Sequence, residues 1–405
     1  MTVSIINGLV LLPGADNPET FNIDIENTEI TAIGGEANDN ERIDAKGLVI
    51  APGIIDLGVF ATDKPAFRFG GITRAALMPD QSPVHDDPAT VRFAALKGKP
   101  DLWIHPLAAA TCDLDGRHMA EIALMKEAGA KAVATGKSWI GDSGIMLRIM
   151  QYCSALDLPL FIHSEDRGIT GNAVATSGPT ATLLGLASAP AIAEALSIAR
   201  DLILAEESGV HLHFRQVTTA KGFDLIRDAK QRGMRVTCGI TPAHLFLSEN
   251  AVSNFRTFAK LSPPLRSEED RMACLIAIVD GTIDVIASGH NPRGPEDKRL
   301  PFNEALPGMA GAETLLALSL NLVRDDHISL GRLFDLLSRN PADILGIKAG
   351  RITADYEADL IAIDTDAPWQ VDSGKMAAFA GNTPFDKLPV QGRVRIMMKG
   401  GKVIE

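Results

Sequence analysis

Between residues 53 and 289 the chain returns repeatedly to a short apolar, largely β-branched run, at 53–58, 72–78, 102–107, 131–135, 159–163, 209–216, 234–240 and 283–289. Runs without polar alternation suit strands covered on both faces, as in a parallel sheet. The stretches between them carry helical periodicity, for example 119–128, stopped by Gly129, and 189–208, where Glu194 and Arg200 fall on an expected polar face. Strand and helix alternating in this way eight times predict a (β/α)8 barrel of the α/β class, with a final helical section at 330–345. In such a barrel the groups that do chemistry project from the carboxyl ends of the strands. The first run, Ala51-Pro52-Gly53-Ile54-Ile55-Asp56-Leu57-Gly58-Val59-Phe60, brings Gly58 and Phe60 to that mouth, and neither can bind a metal.

Outside this range the pattern changes to short strands punctuated by turn residues: 3–7 before Gly8, 21–25, 29–33 before Gly34-Gly35, then 358–363, 394–398 before Gly400-Gly401, and 403–404. Neither end alone supplies a stable sheet, so the two are expected to pair into one small β-sandwich. The expected division is a discontinuous β-sandwich of 1–52 plus 346–405 and a barrel of 53–345. One connection is abnormal. Only residues 61–71 join the first two barrel strands, whereas a crossover with its helix needs at least about 10–12 residues. The helix is expected to be one turn at best, leaving barrel wall that is uncovered or closed by a partner.

Composition narrows the partners. A net charge of −12 and a pI near 5.3 argue against a nucleic-acid or anionic-membrane surface, since both need clustered Lys and Arg. No run approaches the ~18 apolar residues of a membrane span, and residues 1–13 carry no expected targeting signal. Cys112, Cys153, Cys238 and Cys274 form no C-x-x-C pair, so neither a disulfide framework nor a zinc ribbon is indicated, and the expected location is the cytoplasm.

Several motifs are specific. They are Gly70-Gly71-Ile72-Thr73 followed by Met78-Pro79-Asp80, His163-Ser164-Glu165-Asp166, Gly185-Leu186 with Pro190 and Ala193-Glu194, and Pro263-Pro264-Leu265-Arg266 through Asp270. Pro301-Phe302, Ala305, Gly308, Gly311 and Glu313-Thr314 complete the set, with Pro52, Gly53, Ile55 and Asp56 in the first strand. Together they resemble the dihydroorotase branch of the metal-dependent cyclic amidohydrolases over nearly the whole barrel. The resemblance implies a barrel with a sandwich formed by both termini, and hydrolysis of a cyclic amide by zinc, which makes hydroxide at neutral pH and polarises the carbonyl. It also implies where the ligands belong. The two histidines of the first strand fall on Gly58 and Phe60, and the aspartate after the fourth falls near Thr135 and Gly136. The histidine of the sixth strand falls on Gln216 and the catalytic aspartate of the eighth on Gly289, while the histidine of the fifth is kept as His163. A zinc site needs at least three protein ligands and a water, so no zinc or other cofactor is expected and no catalytic residue is assigned. Substrate contacts change as well, with Thr62 for arginine, and Asp80 and Ser262 each for asparagine. A carboxylate at Asp80 would repel dihydroorotate or carbamoyl-aspartate, both anions.

The other chemistry-bearing residues have plainer readings. His211-Leu212-His213 imitates a metal motif, but if Gln216 faces inward, two-residue alternation turns His211, His213 and Arg215 outward toward the helices. Lys137 reads as a solvated lysine past a strand end, His244 as support for the fold, and His290 as a relic or structural group. No G-x-S-x-G occurs and no cysteine adjoins an obvious base, so no nucleophile is indicated. The mouth still gathers His163, Asp80, Glu165, Asp166, Gln216, His290 and Arg293 into an expected relic pocket, unless Phe60 and 61–71 fill it. The leading expectation is a non-catalytic dihydroorotase homologue in a homo- or hetero-oligomer, with aspartate transcarbamoylase as the partner implied by the resemblance alone. The alternatives are an active cyclic-amide hydrolase, with zinc or without metal, and a small-molecule sensor using the relic pocket.

Overall fold

The apolar runs become the staves of a barrel. In the computed structural model, which describes residues 2–35 and 41–404, strand one is Ile54–Val59, two Ile72–Leu77, and three Trp103–Pro106 continued by Ala108–Ala109. Strand four is Val133–Ala134, five Leu160–Ile162, six Leu212–Phe214, seven Val236–Ile240 and eight Val285–Ile286. Pairing is parallel from each strand to the next. The seam between eight and one is closed by the Phe60 N–H donating to the His290 carbonyl at 2.8 Å and the Ser288 N–H to the Asp56 carboxylate at 2.9 Å. Within the expected 1–52 and 346–405 spans, positions 1, 36–40 and 405 lie outside the described residues.

Burial on both faces sorts the strand residues into two sets. Ile55, Leu57, Ala76, Met78, Leu107, Ala134, Phe161 and Val285 fill the axis, while Ile54, Ile72, Ile104, Leu160, Ile162, Leu212 and Phe214 pack outward with the helices. Helix Ile192–Ser208 ends on Gly209 in the left-handed region (φ +67°), where glycine meets no steric penalty. Helix Ile122–Glu127 starts later than its periodicity suggests, because Met119 is drawn into a bridge with Thr111.

Strands from both termini share a single sheet. Val49–Pro52 pairs in parallel with Thr2–Val10 on one side and antiparallel with Leu360–Gln370 on the other. Val3, Ile5, Ile23, Ile25, Ile30, Ile50, Leu360 and Met398 make its own core. An ionic cluster fastens it to the barrel: Arg74 on strand two reaches Asp359 at 2.8 Å and also Glu357, and Lys399 reaches the same two carboxylates at 2.8 and 2.6 Å.

The short connection differs from its expectation. Residues Lys64–Gly70 form a seven-residue helix, about two turns at 3.6 residues each. Asp63 starts it by accepting from the Ala66 N–H, and Gly71 ends it at φ +75°. The wall behind it is covered by this chain itself. A Cβ on Gly70 would stand 2.3 Å from the Ala312 carbonyl, and one on Gly71 2.9 Å from Val394. Phe69 meets Trp369 edge-on with ring centroids 5.4 Å apart. The four cysteines are unpaired and three of them are buried. Among the described residues, no helix is long and apolar enough to cross a membrane.

Candidate functional site

Strand six sets the character of the mouth. His213 is the register partner of Phe161 and lies against its ring on the barrel axis, with centroids 4.5 Å apart, while Leu212 and Phe214 face the helices. The inward phase is therefore the reverse of the one inferred from Gln216. The strand ends at Phe214, so alternation carries the inward phase from His213 to Arg215, and Gln216, beyond the regular strand, also turns into the mouth. Arg215 points in, not out.

Its guanidinium takes the space in front of strand one. Arg215 is 5% exposed, its Nη2 lies 3.2 Å from His163 Nδ1, and its guanidinium carbon is 5.1 Å from the Phe60 ring centroid. A Cβ on Gly58 would stand 3.3 Å from Arg215 Cδ. Because the guanidinium only donates, His163 accepts at Nδ1 and carries its proton on Nε2, which faces Glu165 at 3.3 Å. Glu165 in turn binds Arg266 at 2.9 Å. Burial works against that carboxylate's charge, yet His163 and Arg266 together hold it down at about 2. Burial alone would strip Arg215 of its proton sooner. Asp80 and Glu165 oppose that, leaving it at about 10, still charged at neutral pH.

A cavity of about 260 Å³ opens here, lined by Phe60, Lys137, Arg215, Gln216, Asn291 and Arg293 among others. A second, of about 390 Å³, adjoins it and includes His163, Glu165, Arg167 and again Lys137. Lys137 is not the solvated lysine expected. Its Nζ stands 4.3 Å from the Phe60 ring centroid, and burial, with Arg293 and Arg215 nearby, lowers its pKa to about 8. Phe60 does not fill the mouth. Its backbone is held by His290 and Gln81, and its ring serves as the platform for two cations.

The expected relic pocket is only partly assembled. Gln216 and Arg293 line the first cavity, His163 and Glu165 the second. Asp80 lies beside them, accepting the Lys137 N–H at 2.9 Å. Asp166 instead caps the short helix Arg167–Thr170. His290 turns away, accepting from the Ala312 N–H at 3.3 Å and standing 3.5 Å from Asp63. His244 supports the fold, bonding Thr241 at 2.8 Å and the Pro263 carbonyl at 3.1 Å. Glu194, expected on a polar face, is fully buried. It accepts from the N–H and hydroxyl groups of both Thr218 and Thr219, at 2.5–2.9 Å, and so fixes the turn that follows Gln216. Asp80 does not stand alone there, since Lys137, Arg215 and Arg293 line the first cavity.

The mouth does not fit zinc. Thr135 uses its hydroxyl to accept the His163 N–H at 3.2 Å, and a Cβ on Gly289 would stand 3.7 Å from the Gln216 amide nitrogen. Among the described residues no three His, Cys, Asp or Glu side chains are grouped to hold a metal. A guanidinium that stays charged at neutral pH stands beside His163, among the positions the ligands would need. Arg215 and Lys137 went unrecognised in the sequence. The signal available was their adjacency to Gln216 and Gly136, two of the substituted positions.

Comparison with known proteins agrees with this architecture. The family model described as "Amidohydrolase family" matches residues 86–404. The dihydroorotase of Syntrophotalea carbinolica is 36% identical over 420 residues, covering 100% of this chain and 99% of that protein. The dihydroorotase of Geobacter metallireducens is 36% identical over 421 residues with the same coverage. Among solved structures, the L-hydantoinase (dihydropyrimidinase) of Arthrobacter aurescens superposes with a TM-score of 0.88 over 99% of this chain and 95% of its own, at 24% identity. Matched by that model over most of its length and by dihydroorotases from end to end, this chain belongs to the amidohydrolase family, in its dihydroorotase group.

Proposed function

We propose that this chain is a non-catalytic member of the dihydroorotase group, acting in the cytoplasm as a structural partner of aspartate transcarbamoylase in pyrimidine biosynthesis. The observation that carries the reading is Arg215, whose aliphatic stem occupies the space in front of Gly58 and whose guanidinium binds His163, the one retained ligand position. Without zinc, the attacking water keeps a pKa near ~15.7 instead of ~7, a handicap of up to about 12 kcal/mol at about 1.36 kcal/mol per unit. Neither Glu165 nor His163 is free to offset that. Glu165 is tied to Arg266, and His163 spends its basic nitrogen on Arg215. The intact axis packing and the buried Glu194 network support a fold kept for a purpose other than turnover.

The test is metal content by plasma mass spectrometry after purification in zinc-supplemented buffer and desalting, with dihydroorotase turnover on the same sample. The expected result is metal far below one per chain and no turnover. A stoichiometric metal with turnover that falls in a His163→Ala variant would overturn the reading. The partner is tested separately by co-purification from the native cell, and absence of aspartate transcarbamoylase at native concentrations would remove it.

A further inference from the structure

Around the first cavity stand two guanidinium donors and one amide oxygen without partners. Buried Arg215 Nε has no hydrogen-bond partner, nor has Arg293 Nε, and the same is true of Gln216 Oε1. Arg215 and Gln216 are 5% and 6% exposed. Buried polar groups in a native protein are normally satisfied, so three such atoms around one cavity call for a ligand. The nearby carboxylates are largely committed. Glu165 binds Arg266 at 2.9 Å and His163 at 3.3 Å, and Asp297 stands 3.6 Å from Arg293. Asp80 gives one oxygen to the Lys137 N–H, and its other oxygen has no hydrogen-bond partner. Lys137 has Asp80 alone to set against the like charges of Arg293 and Arg215, while Arg215 is opposed by Asp80 and by Glu165, which is already paired with Arg266.

We propose that this cavity binds a small-molecule oxyanion, a carboxylate or phosphate group held between Arg215, Lys137 and Arg293, with the rest of the ligand against Phe60, Leu261 and Met309. The volume of about 260 Å³ suits a small metabolite. Guanidinium groups hold such anions by paired, charge-assisted bonds, and the Gln216 amide supplies a further donor when it turns its nitrogen inward. The Phe60 ring keeps the Lys137 and Arg215 side chains in place before the anion arrives. The inference goes beyond the proposed scaffold role and needs no turnover.

The experiment is isothermal titration of the full chain with sodium phosphate and with sodium succinate, against sodium chloride at matched ionic strength. At least one of the two oxyanions is expected to give saturable binding, and whichever does so identifies the preferred acid group. Lys137→Gln and Arg293→Gln, both checked for native circular dichroism, are each expected to weaken binding about tenfold. Arg167→Gln, in the neighbouring cavity, should leave it unchanged. Binding at pH 8 should also take up a fraction of a proton, because an anion raises the pKa of Lys137 from about 8. No saturable heat above chloride with either anion, or folded Lys137 and Arg293 variants that bind as tightly as the parent, would overturn the proposal.

Discussion

Arg215 and Gly58 are a matched pair, since the arginine side chain lies where a side chain on residue 58 would have to go. Gly58 sits at φ +89° with Arg215 Cδ 3.3 Å from its virtual Cβ, so Gly58→Ala meets both backbone strain and a contact. The expected loss is about 1–2 kcal/mol, read from urea unfolding. Gly58→His restores the ligand type but should lose more stability and gain no zinc affinity, because Arg215 stays. Micromolar zinc binding by that variant in a calorimeter would contradict this account of the mouth. Glu194 is the other decisive residue, with Thr218, Thr219 and Arg266 all directed at one buried carboxylate. Glu194→Ala leaves the threonine donors without an acceptor and the buried Arg266 with Glu165 as its remaining carboxylate, and should cost about 3–5 kcal/mol; a loss below about 1 kcal/mol would show that water replaces the carboxylate readily.

At the scale of elements, the short connection between strands one and two makes the terminal sheet part of the barrel wall. Helix Lys64–Gly70 turns out of the way on Gly71, whose virtual Cβ stands 2.9 Å from Val394 and 3.2 Å from Ile361 on the C-terminal strands. Gly71→Val is therefore expected to loosen the seam between sheet and barrel. Hydrogen exchange should quicken along Leu360–Gln370 and Pro389–Lys399 before the barrel strands respond. Uniform change in both parts would mean that the two unfold as one unit. Strand six shows why alternation must be counted inside a strand. Phase read backward from Gln216 crosses the strand end at Phe214, and the two-residue rule holds only where the pleat continues.

For the whole molecule, buried histidines set the response to acid. Burial pushes His105 and His213 down to about 3, and His85, His211 and His244 to about 4. The unfolded chain binds protons at these groups near pH ~6.5 while the folded one does not. Their stability contribution is thus complete above about pH 6.5 and is lost as pH falls from there toward 4 and then 3. The urea midpoint should fall steadily from pH 7 to pH 5, with His213→Gln reducing the slope by about one proton, or ~1.36 kcal/mol per pH unit. A flat midpoint over that range would refute the assignment. An acidic chain with a cationic mouth also separates net charge from local charge: −12 overall does not exclude an anion held by Lys137, Arg215 and Arg293.

The apolar runs of the sequence were enough to locate the barrel strands, because a strand buried on both faces is apolar throughout. The terminal strands were likewise readable, and so were the residue types Gly58, Phe60, Gln216 and Gly289 at the mouth. What neighbours do to one another was not. Glu194 looks polar on a helix and is buried because Thr218, Thr219 and Arg266 come to it from elsewhere in the chain. Lys137 looks solvated and is half-buried because Phe60 lies under it. Arg215 faces inward in phase with His213, and Gln216 lines the mouth beside it because strand six has already ended at Phe214. Each is decided by contacts between segments far apart in sequence, where composition and periodicity carry no information about which side chains meet.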